Sequence, residues 1–309
     1  MTQNTGILFI GHGSRLPYNK KVVTEVAEKY AQLHPDYHVD VGFMELVEPN
    51  IPTAFNTLKE KGVNRIIVNP IFLANGMHTR VDIPTILGLE TEEMKQFQSH
   101  HVHHHHHDHD HDHEHEHEHA HHHHHHHHHH EAKSEPVDFD GEIVYLPPIG
   151  ADDKIAEIIT DKINQQLEHP DKNPDNTGIL LIGHGSTLPY NNEVVEEIAQ
   201  KYIDDNPDYN IEVGFMQLST PTIPDAVAKL KQKGVENIIA NPVFLAEGIH
   251  TKIDIPSTLN LEVQPVENYN PPNKAYDTVD FDGEITLTTP LGADDIIVDI
   301  IDERISKHM

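Results

Sequence analysis

The chain has 309 residues, with 21 Lys and Arg against 51 Asp and Glu, a formal charge of −30 and no cysteine. The missing cysteine excludes disulfide scaffolds, thiolate zinc sites and Cys-ligated iron–sulfur clusters. The acidity opposes nucleic-acid binding, which needs clustered Lys and Arg. The N-terminus lacks a basic start followed by an apolar stretch, and no window approaches the roughly 18 apolar residues of a membrane span. A soluble cytoplasmic protein with no membrane partner is expected, long enough for two domains that each bury a core.

Residues 6–10 (GILFI) form a short apolar run that ends in the turn GHGS at 11–14. Val22, Val23, Val26, Ala27 and Tyr30 then recur at helical spacing, which predicts a helix over 18–33. VDVGFM at 39–44 reads as a strand, 52–61 as a helix closed by Gly62, and RIIVNPIFL at 65–73 as a buried strand. EIVYL at 142–146 is a fourth strand, and 152–167 a helix carrying Ile155, Ile158, Ile159 and Ile163. The acidic pair Asp152–Asp153 opens that helix, as Asp294–Asp295 opens its counterpart, and is assigned to capping.

The chain then repeats itself. TGILFIGHGSRLPYN at 5–19 returns as TGILLIGHGSTLPYN at 177–191, an offset of 172 that also carries 41–52 onto 213–224 and 69–84 onto 241–256. Beyond there the offset is 142, taking 137–143 onto 279–285; the 30-residue difference is a histidine-rich insert. Strands alternating with helices imply a parallel sheet covered on both faces. The expected architecture is two tandem, doubly wound, mainly parallel-sheet α/β lobes related by a pseudo-two-fold axis. The first covers 1–167, with the insert at about 99–131, a linker runs over 168–176, and the second lobe covers 177–309.

Ligands of such sheets bind beyond the carboxyl ends of the strands. GHGS, FMELVEP at 43–49 and LANGMH at 73–78 all fall there. Of 31 histidines, 23 lie between His100 and His130, so site chemistry is sought among the few outside that tract. His12 and His78 recur in register as His184 and His250, and two imidazoles converging in each lobe suit a first-row divalent metal. A lone histidine in a tight turn is more often a hydrogen-bonded turn residue; the paired recurrence favours the metal. Glu45 and Glu48 flank the same mouth, as bases or as solvated loop carboxylates. Their counterparts are Gln217 and Thr220, so a productive site built from His12, Glu48 and His78, with the second lobe as a wall, is expected. The insert interleaves His with Asp and Glu, and its apolar residues, Val102 and Ala120, are too few for a core. His103, His104, His105, His121, His122 and His123 exemplify its expected role as a metal reservoir.

GHGSRLPYN, FMELVEP, NPIFLANGMHTRVDIP and IGADD together resemble the class II sirohydrochlorin chelatases, most of all the small archaeal cobalt/nickel chelatases. The resemblance covers nearly all of both copies, and the chain looks like the homodimer of such enzymes fused into one polypeptide. It implies a chelatase-like fold and a lyase that inserts Ni(II) or Co(II) into sirohydrochlorin with release of two protons. The product feeds a nickel-tetrapyrrole coenzyme or cobalamin. No organic cofactor is implied, and the fused pseudo-dimer is expected to act as a monomer. It makes His12 proton acceptor and metal ligand and His78 the second ligand. Glu48 and the stretch Leu73, Ala74, Asn75, Gly76, Met77 and His78 would contact the tetrapyrrole. In the second copy His184, His250 and the stretch Leu245, Ala246, Glu247, Gly248 and Ile249 fit the same pattern, while Thr220 departs from it. An acidic chain must bind a carboxylate-bearing tetrapyrrole through local donors: turn N–H groups, helix N-termini, Arg15, Lys20 or Arg80. A siroheme ferrochelatase, a nickel or cobalt storage protein on the same fold, and a histidine phosphoryl-transfer enzyme are the alternatives; the last lacks phosphate-binding arginines.

Overall fold

The computed structural model describes residues 4–91, 136–168, 172–267, 269–270 and 274–309. The histidine-rich insert, with the expected reservoir histidines, and residues 169–171 of the expected linker lie outside the described residues.

The first copy runs β1 (Thr5–Gly11), α1 (Pro17–Leu33), β2 (His38–Phe43), α2 (Ile51–Glu60), β3 (Arg65–Pro70), a π-helical turn (His78–Asp82), α3 (Ile83–Ile86), β4 (Glu142–Tyr145) and α4 (Asp153–Leu167). The second repeats it: β5 (Thr177–Gly183), α5 (Pro189–Asp205), β6 (Asn210–Phe215), α6 (Ile223–Gln232), β7 (Asn237–Pro242), a π-helical turn (His250–Asp254), α7 (Ile255–Thr258), β8 (Glu284–Leu287) and α8 (Asp295–Ser306). Each sheet is wholly parallel, in the orders β2-β1-β3-β4 and β6-β5-β7-β8. The third strand stops at Pro70 instead of reaching Leu73. Pro70 brings no N–H to the ladder, and the chain beyond it turns toward the last crossover, where the Gly150 N–H donates to the Leu73 carbonyl at 2.7 Å.

Alternation along β1 assigns the two faces. Leu8 and Ile10 pack with Ile51, Phe55 and Leu58 of α2 and with Ile83 of α3. Ile7 and Phe9 pack with Val23, Val26 and Tyr30 of α1. Asn50 caps α2 by accepting from the Thr53 N–H at 2.9 Å, and a Thr222–Asp225 capping box opens α6. Asp152 and Asp294 cap α4 and α8 by accepting from the N–H groups of Lys154 and Ile296.

The packing units differ from the sequence repeats, because the last helix of each copy crosses to the other lobe. Lys201 of α5 pairs with Asp153 of α4 at 2.6 Å, and Lys29 of α1 pairs with Asp295 of α8 at 2.7 Å. Lys172, just beyond α4, is buried against Glu284 and Thr286 of β8, and Arg65 of β3 donates to the His308 carbonyl beyond α8. Each lobe buries a cluster of its own on one face of its sheet, while on the other face Ile7, Phe9 and Tyr30 share one apolar cluster with Ile179, Leu181, Tyr202 and the isoleucines of both exchanged helices. Each buried isoleucine of α4 contributes roughly 1.5–3 kcal/mol, whereas an ion pair to an exposed aspartate contributes at most about 1 kcal/mol. The apolar face of the exchanged helix, not its ion pairs, therefore joins the lobes.

Two further contacts cross in mirror fashion. The Arg80 guanidinium lies 4.5 Å from the Tyr190 ring centre, and the Lys252 ammonium 4.9 Å from that of Tyr18. A contact and its exchanged counterpart are the mark of an isologous, two-fold interface. Among the described residues no helix is long and apolar enough to cross a membrane.

Candidate metal centre

The turn after β1 holds His12 in place because the loop after β2 passes directly over it. A Cβ at Gly13 would stand 1.9 Å from the Glu45 carbonyl oxygen, so only glycine admits that approach, and its φ of 88° is glycine's as well. The Met44 and Glu45 N–H groups donate to the carbonyls of Gly11 and His12, at 3.1 and 3.2 Å. The loop after β2 is thereby sewn to the Gly-His-Gly turn. Gly185 and Gln217 repeat the arrangement, with 1.8 Å clearance.

His12 and His78 meet at the mouth so formed. Their Nε2 atoms are 3.2 Å apart, and the rings stand nearly perpendicular at 79°. His12 Nδ1 lies 2.8 Å from the Gly13 carbonyl, and His78 Nδ1 lies 2.7 Å from the Asp82 carboxylate. A carbonyl and a carboxylate only accept, so each neutral ring must carry its hydrogen on Nδ1 and turn the Nε2 lone pair inward. Two tetrahedral metal–imidazole bonds of about 2.0–2.1 Å would set their nitrogens about 3.3 Å apart. The observed separation matches that spacing. Asp82 went unremarked in the sequence, although the H-x-x-x-D spacing recurs as His250 and Asp254 in both helical turns.

A second carboxylate stands behind His12: Glu45 Oε1 is 3.7 Å from its Nδ1. The Glu48 carboxylate turns elsewhere, accepting from the Asn50 N–H at 2.8 Å, while its carbonyl receives the Lys20 ammonium at 2.6 Å. Leu73 is buried in the core and Thr79 ties the turn through Gly76, so exposed surface at 73–78 comes mainly from Asn75 and its partly covered neighbours. Arg15 is exposed, while Arg80 stacks across the interface. Among the described residues no group of three His, Asp or Glu side chains is set to hold a metal. Two imidazoles would leave most of a metal's coordination sphere open.

The second lobe repeats the histidines but not their surroundings. His184 and His250 have ring centres 5.0 Å apart, and their Nδ1 atoms meet the Gly185 carbonyl and Asp254, each at 2.7 Å. Gln217 replaces Glu45, and its amide nitrogen lies 3.3 Å from His184 Nε2. Burial pushes the His184 ring down from its ordinary value; the bond to Gly185 works against this and nearby His250 adds to it. Burial works to raise Asp254, but hydrogen bonds from His250 and Tyr276 outweigh it and hold the carboxyl below its usual range. The Arg80–Tyr190 and Lys252–Tyr18 contacts set each histidine-bearing turn against the helix that leaves the other lobe's Gly-His-Gly turn, so both histidine pairs adjoin one interface.

The CbiX family model matches residues 6–166 and again 178–308, and the chain belongs to that family. The sirohydrochlorin cobaltochelatase of Methanothermobacter thermautotrophicus is 46% identical over 162 residues, which cover 52% of this chain and 92% of that protein. Its namesake from Methanopyrus kandleri is 45% identical over 161 residues, 52% of this chain and 96% of that protein. These relatives are therefore about one lobe long. Among solved structures, SirB from Bacillus subtilis with Fe3+ superposes over 98% of this chain and 95% of its own, with a TM-score of 0.63 at 18% identity. That likeness establishes a common two-lobed fold.

Proposed function

We propose that the protein inserts a divalent metal, Ni(II) or Co(II), into sirohydrochlorin, releasing two protons. The carrying observation is the His12–His78 pair: two inward lone pairs 3.2 Å apart, each ring fixed from behind. The names of the one-lobe relatives support the substrate.

The residues divide the work simply. His12 and His78 hold the substrate metal through Nε2. As the metal passes to the macrocycle, both lone pairs are freed where two pyrrole protons must depart, so the pair exchanges one dication for two protons. Glu45 behind His12 and Asp82 behind His78 stabilise the imidazolium that forms in each case. His184 has no such carboxylate: Gln217 takes Glu45's place in the repeat and sets its amide nitrogen 3.3 Å from Nε2 instead. This supports a division of labour in which the first lobe carries turnover and His184 and His250 form a weaker centre. Glu48 and the 73–78 stretch, with 245–250 opposite, belong to the tetrapyrrole-binding rim. The histidine-rich insert is a metal store for the site, and the fused pair works as a monomer in the cytoplasm. Its product serves a nickel-tetrapyrrole coenzyme or cobalamin.

An anaerobic absorbance assay with sirohydrochlorin and Ni(II), Co(II) or Fe(II) tests the reading. Accelerated insertion of nickel or cobalt is expected. Metal binding without acceleration of any insertion would make the protein a store. Loss of activity in a His184→Ala, His250→Ala protein as severe as in His12→Ala, His78→Ala would remove the division of labour.

A further inference from the structure

Leu46 and Leu218 are 57% and 67% exposed, at matching places in the two copies. Both have left-handed backbone, with φ of 66° and 58°. Leu46 is the centre of a three-residue turn closed by the Val47 N–H on the Glu45 carbonyl at 2.8 Å. That conformation is unfavourable for leucine and easy for glycine or asparagine. Neither copy has relieved it, although the surrounding loop has diverged: Glu45, Val47 and Glu48 stand opposite Gln217, Ser219 and Thr220. Core packing does not account for leucine there, because both side chains face water.

Their location supplies a reason. Each leucine follows the residue whose N–H is bonded to the carbonyl of His12 or His184, on the loop that passes over Gly13 or Gly185. Each therefore stands at the rim of a histidine pair. A chain of formal charge −30 gains nothing from its overall field when it meets a ring edged with carboxylates. Apolar contact with the flat macrocycle is the contribution to binding that this charge does not oppose. We infer that Leu46 and Leu218 are apolar contacts for the tetrapyrrole, one presented by each lobe. The inference rests on the proposed function and extends it to how the macrocycle is held.

The test titrates the full-length, metal-free protein with metal-free sirohydrochlorin under anaerobic conditions, beside thermal melts of the same samples. Leu46→Asn and Leu218→Asn relieve the backbone, so their melting temperatures should stay level or rise. Their Kd should increase about fivefold each, the factor expected when about half a leucine side chain no longer leaves water on binding. Leu46→Met should bind within about twofold of the parent, since it keeps apolar volume. Asparagine variants that bind as the parent does overturn the inference alone. Weaker binding accompanied by a melting temperature several degrees lower, or a methionine variant as weak as asparagine, overturns it too, the leucine then being structural. A parent protein that does not bind sirohydrochlorin removes the proposed function, and this inference with it.

Discussion

Replacing Gly13 with alanine separates the close packing at the proposed metal centre from ordinary loop strain. A Cβ at Gly13 would stand 1.9 Å from the Glu45 carbonyl oxygen, where real contacts stay above 3.0 Å. The loop after β2 must then retreat by about 1 Å, enough to cost a site on the order of 100-fold in rate. It carries Glu45 away from His12, and Leu46 away from the rim. The left-handed backbone adds roughly 1–2 kcal/mol for alanine. Gly62 provides the control, with φ 75° and nothing within 4 Å of a Cβ placed there. Gly62→Ala should lose about 1 kcal/mol and roughly 2–4 °C of melting temperature while keeping its insertion rate. Gly13→Ala should lose about 2–4 kcal/mol and fall about 100-fold in insertion. Thermal melts and anaerobic insertion assays on both proteins decide the matter. Equal melting temperatures and equal rates would refute the reasoning.

Asp82→Ala frees the His78 ring to change tautomer, so the Co(II) concentration for half-maximal insertion should rise about 10–100-fold; an unchanged value shows that Asp82 does not orient the ligand. Tyr190→Leu and Tyr18→Leu each remove a ring under a cation, and each should lower stability by about 0.5–1 kcal/mol. Their effects should add in the double variant, as melts will read, if the two contacts are independent. In metal-free protein, His184 resists protonation in the fold, its ring pushed below the 6.5 of the free side chain. Above that pH neither state takes up a proton there, and below it the unfolded chain does so first, so the folded state loses stability as pH falls. His184→Gln should flatten that part of the curve of melting temperature against pH, and superimposable curves would contradict the assignment.

Much of this was legible in the sequence because it depends on local rules. The 172-residue offset gives the two lobes, and the unbroken apolar run GILFI gives a strand buried on both faces. Strand polarity alone brought His12 and His78 to the same end of a parallel sheet, where they lie together. The exchange of α4 and α8 was hidden, since a repeat reads identically whether its last helix packs at home or across the interface. Asp82 was hidden differently: in a chain with 51 carboxylates an acidic residue four positions from a histidine is unremarkable until a helical turn brings them together. The Glu45 position required knowing that Gly13 lets the next loop pass within contact of its backbone. Sequence places both Glu45 and Glu48 at the mouth; only the path of the loop turns Glu48 toward Asn50.

The most direct measurement of the central claim is the anaerobic insertion rate of a His12→Ala, His78→Ala protein that keeps its histidine-rich insert. Insertion should fall to no more than the low rate that His184 and His250 can sustain, while the protein still takes up metal. Insertion at the parental rate would contradict that claim, and would move the chemistry to the insert or to the second lobe.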